Sequence, residues 1–371
     1  LSISLITEMV DVMMTSYKIP LYLDNLVFSL QKTGGGSIYW ESIVKAALLD
    51  TSFDVTIFER KDSRQNEVRN KMSLEGAKRI IQSESPLRID EFKKLDIPED
   101  GLLHSSYFRV PKSSNIKNVC TVHDFICMNQ YQGLLKAVSF YQIKKAALKA
   151  SGIICISEST RRDLLNYIPE ANSKQIEIIH QGYDDSSYNY DPNLKRDNAV
   201  CFIGNRRSAY KNFELAVKAV ARVPQIELRI IGASLNDDER NLLDEMIPGR
   251  FTNYVYPSAS EVSNIFNRSI ALLYLSEYEG FGIPVLESMA SGLPVIGLNI
   301  SSIPEVAGDA ALLLKESNVD DVVDSINSLL SESCLFEQKV SQGLKRALDF
   351  SWSKTAAKTL DYYKYIYGSN Y

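Results

Sequence analysis

Short runs of β-branched and aromatic residues alternate with longer amphipathic segments along the chain, and this alternation restricts the possible folds more than any other feature. Helices that cover both faces of a parallel sheet produce such a pattern. We therefore predict an α/β protein with doubly wound, Rossmann-like sheets. Strands are predicted at 21–24, 54–58, 102–105, 119–123, 153–157, 176–179, 200–203, 227–231, 253–256, 270–274 and 294–298.

Amphipathic segments with a helical period lie between the predicted strands. The apolar segment 1–14 is interpreted as a strand or an N-terminal appendage, because it lacks a basic start and Glu8 and Asp11 interrupt it. The segment 352–367 is predicted to be a helix that is rich in tyrosine. The other helices are predicted at 38–49, 134–150, 158–167, 212–222, 237–246, 261–267 and 283–291.

The length of the chain favours two domains, since 371 residues exceed the size at which one hydrophobic core usually keeps growing. The stretch 185–198 is polar and contains a proline, which is typical of a linker between domains. Ligands of doubly wound sheets bind beyond the carboxyl ends of the strands. We therefore expect the chemistry in a cleft between the two domains.

Composition argues against several classes of protein. The net charge of -5 argues against a protein that wraps nucleic acid, and no run of roughly 18 apolar residues is present to span a bilayer. The five cysteines are odd in number and widely spaced, which favours buried, reduced thiols and a cytoplasmic protein. No Asp-x-Asp pair occurs, and three histidines are too few for a histidine-rich metal site.

The segment that most directly indicates chemistry is SEYEGFGIPVLESMASGLPVIG, which follows the predicted strand 270–274. Gly280 and Gly282 leave the backbone bare where a strand turns into a helix, and amides at a helix start can bind an anion. Glu279 lies at this turn and Glu287 lies one turn into the helix. Two carboxylates beside a phosphate site suit a polyhydroxylated ligand, because each can accept two hydroxyl hydrogen bonds. A plain junction with two solvated glutamates is the simpler alternative.

Several strings resemble one family. EGFGIPVLES resembles the Glu-x7-Glu signature of the retaining GT-B glycosyltransferases of family 4, and GNRRSAYKN is similar to the family's basic donor-phosphate loop. TVHDF, ISESTRRDL and IHQGYD resemble motifs of its N-terminal domain, and FSWSKTA resembles the start of its closing helix. Because these motifs cover nearly the whole chain in the family's order, the sequence is identified as a member of this family.

The resemblance implies the GT-B fold, in which two Rossmann-like domains face each other across a cleft. Residues 1–192 are expected to form the acceptor-side domain and residues 193–351 the donor domain, with a helix at 352–371 returning to the first domain. The implied reaction moves a hexose with retention from a nucleoside diphosphate sugar, with UDP favoured, to a glycan or lipid-linked acceptor in polysaccharide biosynthesis. Two alternatives stay open: a GT-B nucleotide-sugar epimerase and a catalytically silent sugar-nucleotide-binding protein.

The resemblance also assigns roles on the donor side. Glu279 matches the residue that hydrogen-bonds the hydroxyls of the donor sugar, and Glu287 matches the residue that holds the ribose. The turn is expected to present backbone amides to the sugar and the diphosphate, through Phe281, Gly282 and Ile283.

Fixed cations are expected where negative charge develops on the leaving diphosphate. Arg206 and Lys211 match the family's basic pair, and because Arg207 follows directly, which arginine reaches the phosphate stays open; we favour Arg206. With these cations and without an Asp-x-Asp pair to hold a divalent ion, we expect no metal and no cofactor, the nucleotide sugar being a substrate.

The first domain has less specific signals. The glycines of KTGGGS precede the predicted helix 38–49, where bare backbone could approach a phosphate or simply form a turn; they are Gly34, Gly35 and Gly36. His123 matches a cleft histidine of the family near the donor sugar. His104 and Arg109, near another strand end, are candidates for the acceptor side.

The segment 134–150 carries Lys136, Lys144, Lys145 and Lys149 beside an apolar face. Such a helix could lie on anionic lipid, which would make the protein peripheral on the inner face of the membrane. An ordinary surface helix explains the pattern equally well.

Overall fold

The computed structural model describes residues 18–82 and 86–369. The predicted segment 1–14 and the last two residues of 352–371 lie outside the described residues. Within the described part, the strands form two sheets in which every paired neighbour is parallel. The chain is therefore the α/β protein that the alternating pattern predicts.

The first sheet, as far as it is described, has seven strands in the order β3-β2-β1-β4-β5-β6-β7. Its strands are β1 (Ile19–Asp24), β2 (Phe53–Glu59), β3 (Lys78–Ile81), β4 (Leu102–Ser105), β5 (Lys117–Val122), β6 (Gly152–Cys155) and β7 (Gln175–Ile178). Central strands such as β4 and β6 are buried throughout, because helices cover both faces.

The second sheet has six strands in its described part, in the order β10-β9-β8-β11-β12-β13. Its strands are β8 (Ala199–Ile203), β9 (Glu227–Gly232), β10 (Phe251–Val255), β11 (Ala271–Tyr274), β12 (Val295–Leu298) and β13 (Ala311–Leu314). All strands predicted from the sequence are confirmed to within a few residues. The edge strands β3 and β13 were not predicted, since β3 is short and exposed and β13, with the sequence ALLL, contains no β-branched residue.

The predicted helices are also confirmed. The described helices of the first half are α1 (Val27–Leu30), α2 (Gly35–Leu49), α3 (Glu67–Lys71), α4 (Leu87–Asp90), α5 (Ile126–Gln130), α6 (Gly133–Lys149) and α7 (Glu158–Tyr167); of these, α2, α6 and α7 were predicted. The described helices of the second half are α8 (Phe213–Ala221), α9 (Asp237–Met246), α10 (Ala259–Asn267), α11 (Ile283–Ala290), α12 (Ile303–Ala307), α13 (Val319–Ser331), α14 (Ser333–Ala347) and α15 (Trp352–Gly368); of these, α8, α9, α10, α11 and α15 were predicted.

The last helix, α15, packs on α2 beside the first sheet rather than on the second. Its residues Tyr363 and Ile366 are fully buried in the cluster that contains Trp40 of α2. The hydroxyl of Tyr362 donates to the carbonyl of Gln175 at 2.9 Å, which satisfies the polar end of a buried ring. The tyrosines of this helix therefore serve the core of the first half.

Two expectations from composition concern residues that the structure describes. All five cysteines are free, and four of them are buried while Cys334 is exposed. Within residues 18–82 and 86–369, no helix is long and apolar enough to cross a bilayer.

Candidate active site

The turn after β11 brings the two halves of the molecule into contact. A Cβ atom on Gly280 would overlap the carbonyl oxygen of His123, which follows β5 of the first sheet. The carbonyl of Gly280 accepts a hydrogen bond from Ser157 Oγ at 2.8 Å, at the start of α7. Only glycine allows this approach, so the turn that carries Glu279 is fixed against the first domain.

Lys211 and Glu279 form an ion pair in the cleft, and their side chains are 13% and 14% exposed. Lys211 ends a short 3-10 turn, Ala209–Lys211, that follows β8. Its Nζ lies 5.1 Å from the ring centroid of Tyr210 and 5.6 Å from that of Tyr274. The pair joins the basic loop after β8 to the turn after β11.

Hydrogen bonds hold the turn itself. Ser302 Oγ donates to the carbonyl of Phe281 at 2.7 Å and to that of Glu279 at 3.0 Å. Gly282 has φ 110°, a left-handed conformation that favours glycine, and α11 begins at the next residue, Ile283. The backbone amides in the first turn of α11 therefore point at the cleft.

Glu287 lies one turn into α11 and is partly buried. Burial raises the pKa of Glu287 to about 7, although a hydrogen bond with Tyr188 lowers it. Burial also raises the pKa of Tyr274, and the charges of Glu279 and Glu287 raise it further. The charges of both glutamates therefore act on the tyrosine at the carboxyl end of β11.

A cavity of about 500 Å³ adjoins the carboxyl ends of β8 and β9. Part of its lining is the backbone of Gly204 and Gly232, which have φ 132° and 145°. Arg206, Arg207 and Tyr256 contribute to its lining. A concave site with glycine backbone and cationic side chains can take a phosphate-bearing ligand.

The two arginines of the basic loop differ sharply in environment. The Arg206 side chain is 2% exposed, and its Nη2 donates to the carbonyls of Ala233 at 2.8 Å and Ser234 at 3.1 Å. Its Nε lies 3.2 Å from a carboxylate oxygen of Glu239. Its Nη1 is buried without a hydrogen-bond partner among the described residues. Arg207 is exposed at the rim of the cavity.

On the first domain, His123 and the glycine turn lie at the cleft. The ring of His123 meets that of Tyr39 edge-on at 4.9 Å, and burial lowers the pKa of His123 to about 4, which keeps it neutral at neutral pH. A Cβ atom on Gly35 would lie 3.4 Å from Cδ1 of Ile283 in α11. Gly34 has φ 145° and caps α2, so this helix begins earlier than predicted and includes Gly35 and Gly36.

The structure corrects the two acceptor-side candidates, because both are built into the core. His104 is 0% exposed and shares hydrogen bonds with Tyr363 of α15 and with Thr121. Arg109 is 3% exposed and forms a buried, two-pronged ion pair with Asp24 at the end of β1. Neither side chain reaches the open cleft.

Two residues at the site were not predicted. Asp124 follows His123 in the TVHDF string, where the resemblance assigns a role to the histidine alone. Tyr188, the hydrogen-bond partner of Glu287, lies in the predicted linker 185–198, where no sequence signal marks it. Among the described residues, no group of three or more potential metal ligands is placed to hold an ion.

Comparisons with known proteins agree with this geometry. A family model described as Glycosyltransferase Family 4 matches residues 34–187, and one described as Glycosyl transferases group 1 matches residues 189–346. The O-antigen chain mannosyltransferase B of Escherichia coli is 34% identical over 117 residues, which is 32% of this chain and 30% of that protein. The chain thus matches less than a third of the length of this curated relative.

Two solved structures share the fold. Sucrose-phosphate synthase (tll1590) from Thermosynechococcus elongatus has a TM-score of 0.73 at 19% identity and covers 95% of this chain and 100% of its own. Anabaena Alr3699/HepE in complex with UDP and glucose has a TM-score of 0.68 at 14% identity and covers 94% and 100%. At these identities the likeness concerns the fold.

Proposed function

The chain belongs to the GT-B glycosyltransferases of family 4, and we propose that it is a retaining hexosyltransferase that uses no metal. Its donor is a nucleoside diphosphate sugar and its acceptor a glycan or lipid-linked sugar in polysaccharide biosynthesis. The observation that carries the proposal is the Lys211–Glu279 ion pair, which lies where the basic loop and the Gly-rich turn meet in the cleft.

The proposed roles follow from the charges that the reaction develops. Cleavage of the glycosyl–phosphate bond leaves negative charge on the diphosphate, and Lys211 and the amides at the start of α11 stabilise it without reorganisation. Arg206 contributes a buried cation at the base of the cavity. Glu287 accepts hydrogen bonds from the ribose hydroxyls, and Glu279 does so from the hexose.

Retention is proposed to proceed by attack on the face from which the diphosphate leaves. The departing phosphate then accepts the proton of the attacking hydroxyl. The neutral state of His123 at neutral pH is consistent with a role in hydrogen bonding to the sugar rather than in charge neutralisation. Nuclear magnetic resonance of the product measures the anomeric configuration directly, and an inverted product would contradict this part of the proposal.

The donor is tested by thermal stability in a panel of UDP-, GDP-, ADP- and dTDP-sugars that carry glucose or mannose. A ligand that binds only the folded protein raises the melting temperature by mass action. We favour UDP, because the structure of Anabaena HepE is described as a complex with UDP and glucose. The E. coli relative is described as a mannosyltransferase, so the panel includes mannose. Stabilisation by none of these compounds would contradict the proposed function.

Independence of metal is tested on the same preparation. Turnover in excess EDTA is expected to equal turnover without it, because Lys211 and Arg206 replace the divalent ion. Loss of activity that added magnesium or manganese restores would show that a metal takes part.

We also propose that the start of α6 contacts the membrane that holds a lipid-linked acceptor. Leu134 and Leu135 are 81% and 58% exposed there, beside Lys136. Exposed apolar side chains with a lysine beside them suit an anionic lipid surface. Cosedimentation with vesicles that contain phosphatidylglycerol, compared with purely zwitterionic vesicles, tests this, and equal recovery from both would contradict it.

A further inference from the structure

Asp124 faces the proposed reaction centre from the first domain. It follows His123 after β5, and its Oδ1 accepts a hydrogen bond from the amide of Ile126 at 2.9 Å. A Cβ atom on Gly280 would lie 3.0 Å from the Cβ of Asp124. Because Gly280 follows Glu279 directly, the two carboxylates lie at the same junction between the domains. Among the described residues, the amide of Ile126 is the hydrogen-bond partner of the Asp124 carboxylate, and it uses Oδ1.

The charges around Asp124 come from the second domain and from α7. Burial raises the pKa of Asp124, the hydrogen bond from Ile126 lowers it, and the charges of Glu279 and Asp163 raise it further, against a smaller lowering by Lys211. Asp163 itself accepts a hydrogen bond from the hydroxyl of Tyr278 at 2.7 Å. Asp163 therefore has a partner in the protein, whereas Asp124 keeps one oxygen for a ligand.

Three tyrosines lie in the same region as this carboxylate. Tyr210 and Phe108, the neighbour of Tyr107, pack against the cluster that contains Phe125, the residue after Asp124. Tyr107 is partly buried against Phe108, with ring centroids 4.9 Å apart, Tyr131 is 38% exposed, and Tyr210 lies beside Lys211. Burial raises the pKa of Tyr107 to about 12, and the charges of Tyr131 and Asp124 are among the further causes. The pKa of Tyr210 is raised by burial, and Asp124 and Tyr131 again contribute. The charges of Asp124 and Tyr131 therefore act on both Tyr107 and Tyr210.

Such a group has the chemistry of a sugar subsite. A carboxylate oxygen accepts hydrogen bonds from hydroxyl groups, while aromatic rings provide rigid apolar faces with a polar tip. Glu279 of the second domain is already assigned to the donor hexose. A second sugar, on the side of the first domain, would meet Asp124 and the three rings.

We propose that Asp124 binds a hydroxyl of the acceptor sugar, with Tyr107, Tyr131 and Tyr210 around that sugar. The proposal rests on the proposed glycosyl transfer and adds to it that the acceptor presents a saccharide ring to the first domain. Asp124 is a positioning residue in this scheme, because it orients the acceptor beside the donor that Lys211 and Glu279 hold.

The test measures binding of simple sugars to the full chain. Methyl α-D-mannopyranoside and methyl α-D-glucopyranoside are titrated by ligand-observed magnetic resonance into protein saturated with the nucleoside diphosphate that the stability panel selects. In Asp124→Asn the amide oxygen can still accept from Ile126, so the local fold is preserved while the charge is removed. We expect the affinity for the glycoside to fall by about tenfold, with the melting temperature and nucleotide affinity unchanged.

Glu277→Gln is the matched control, because Glu277 is an exposed carboxylate two residues before Glu279. It is expected to bind the glycosides as the wild type does. Unchanged glycoside binding in Asp124→Asn, or no binding of either glycoside to the wild type, would overturn the proposal and leave nucleotide binding intact. Failure of the wild type to bind any nucleotide would instead refute the proposed function.

A second measurement separates the two sugars of the reaction. The slow hydrolysis of the nucleotide sugar without acceptor depends on contacts to the donor, and Asp124→Asn is expected to lower its rate less than it lowers the rate of transfer. A fall in this rate equal to the fall in transfer would assign the hydroxyl to the donor and overturn the acceptor assignment.

Discussion

The two sheets have the same parallel construction but use the carboxyl ends of their strands differently. In the first sheet, strand ends carry buried ion pairs: Asp24 at the end of β1 binds Arg109, and Glu59 at the end of β2 binds Arg69. In the second sheet, the corresponding ends of β8 and β9 carry glycines and leave a cavity.

The difference shows that position at a strand end does not by itself make a polar residue functional. A charged side chain there can either pair with an oppositely charged neighbour or remain available to a ligand. The number of partners that it has within the protein distinguishes the two cases. Arg109 has its charge matched by Asp24 and a further hydrogen bond to Gln82. Arg206 has Glu239 as its partner but keeps a buried nitrogen without one among the described residues.

The largest expected effect concerns the buried pair of the first sheet. Arg109→Met should lower the free energy of unfolding by about 3–5 kcal/mol, because it leaves Asp24 charged and buried without its partner. Chemical denaturation measures this. Lys112→Met is the control, since its pair with Asp96 is exposed and should contribute little. Nucleotide affinity should be unchanged in folded Arg109→Met, and a loss there would return Arg109 to the active site.

The next effect concerns the contact between the two halves. Gly280→Ala should lower transfer by about 100-fold, because the added Cβ overlaps the carbonyl of His123 and displaces the turn that carries Glu279. Gly368→Ala is the control, because a Cβ there has no neighbour within 4 Å. Initial rates and nucleotide titration on the same preparations separate transfer from binding. Normal transfer by Gly280→Ala would show that this closed contact is not needed for turnover.

Most of the fold follows from the sequence, because strands buried on both faces produce continuous apolar runs that are easily recognised. The exceptions have physical causes. β3 lies at an edge and is largely exposed, so its residues KRII show little of the pattern. The helix α2 begins at Gly35 because Gly34 adopts a left-handed conformation. The sequence GGG alone does not show which of the three glycines adopts it.

The candidate site was predictable only where its residues are close in the chain. Glu279, Glu287 and the glycines between them form one turn and one helix, so their spacing indicates their arrangement. The contact of Gly280 with His123 and that of Glu287 with Tyr188 join distant segments, and only the packed structure brings them together. His104 was misplaced for the same reason, since its partner Tyr363 belongs to the last helix.

Replacement of the two glutamates that follow β11, Glu279 and Glu287, should impair different functions. Glu287→Gln should weaken binding of the nucleoside diphosphate by about tenfold, because it is assigned to the ribose. Glu279→Gln should leave that affinity nearly intact and lower transfer by about tenfold or more, because it is assigned to the hexose. Titration calorimetry and initial rates on both variants measure the two effects, each variant being the control for the other. The opposite pattern would mean that the assignments are exchanged.

The smallest expected effect is a pH dependence of nucleotide binding, which we assign to Glu287 of the second domain alone. Burial raises the pKa of Glu287 to about 7, so below that pH the free protein increasingly carries the protonated form. Ribose hydroxyls donate to the carboxylate, so binding favours the charged form and the complex has a lower pKa. Affinity should therefore fall as the pH drops below about 7, by less than about tenfold per unit, and level off above it. Calorimetry across this range measures the effect, and Glu287→Gln is the control because it retains only the titration of the nucleotide's own phosphate. If the wild type and Glu287→Gln gave the same pH profile, Glu287 would have no part in binding the ribose.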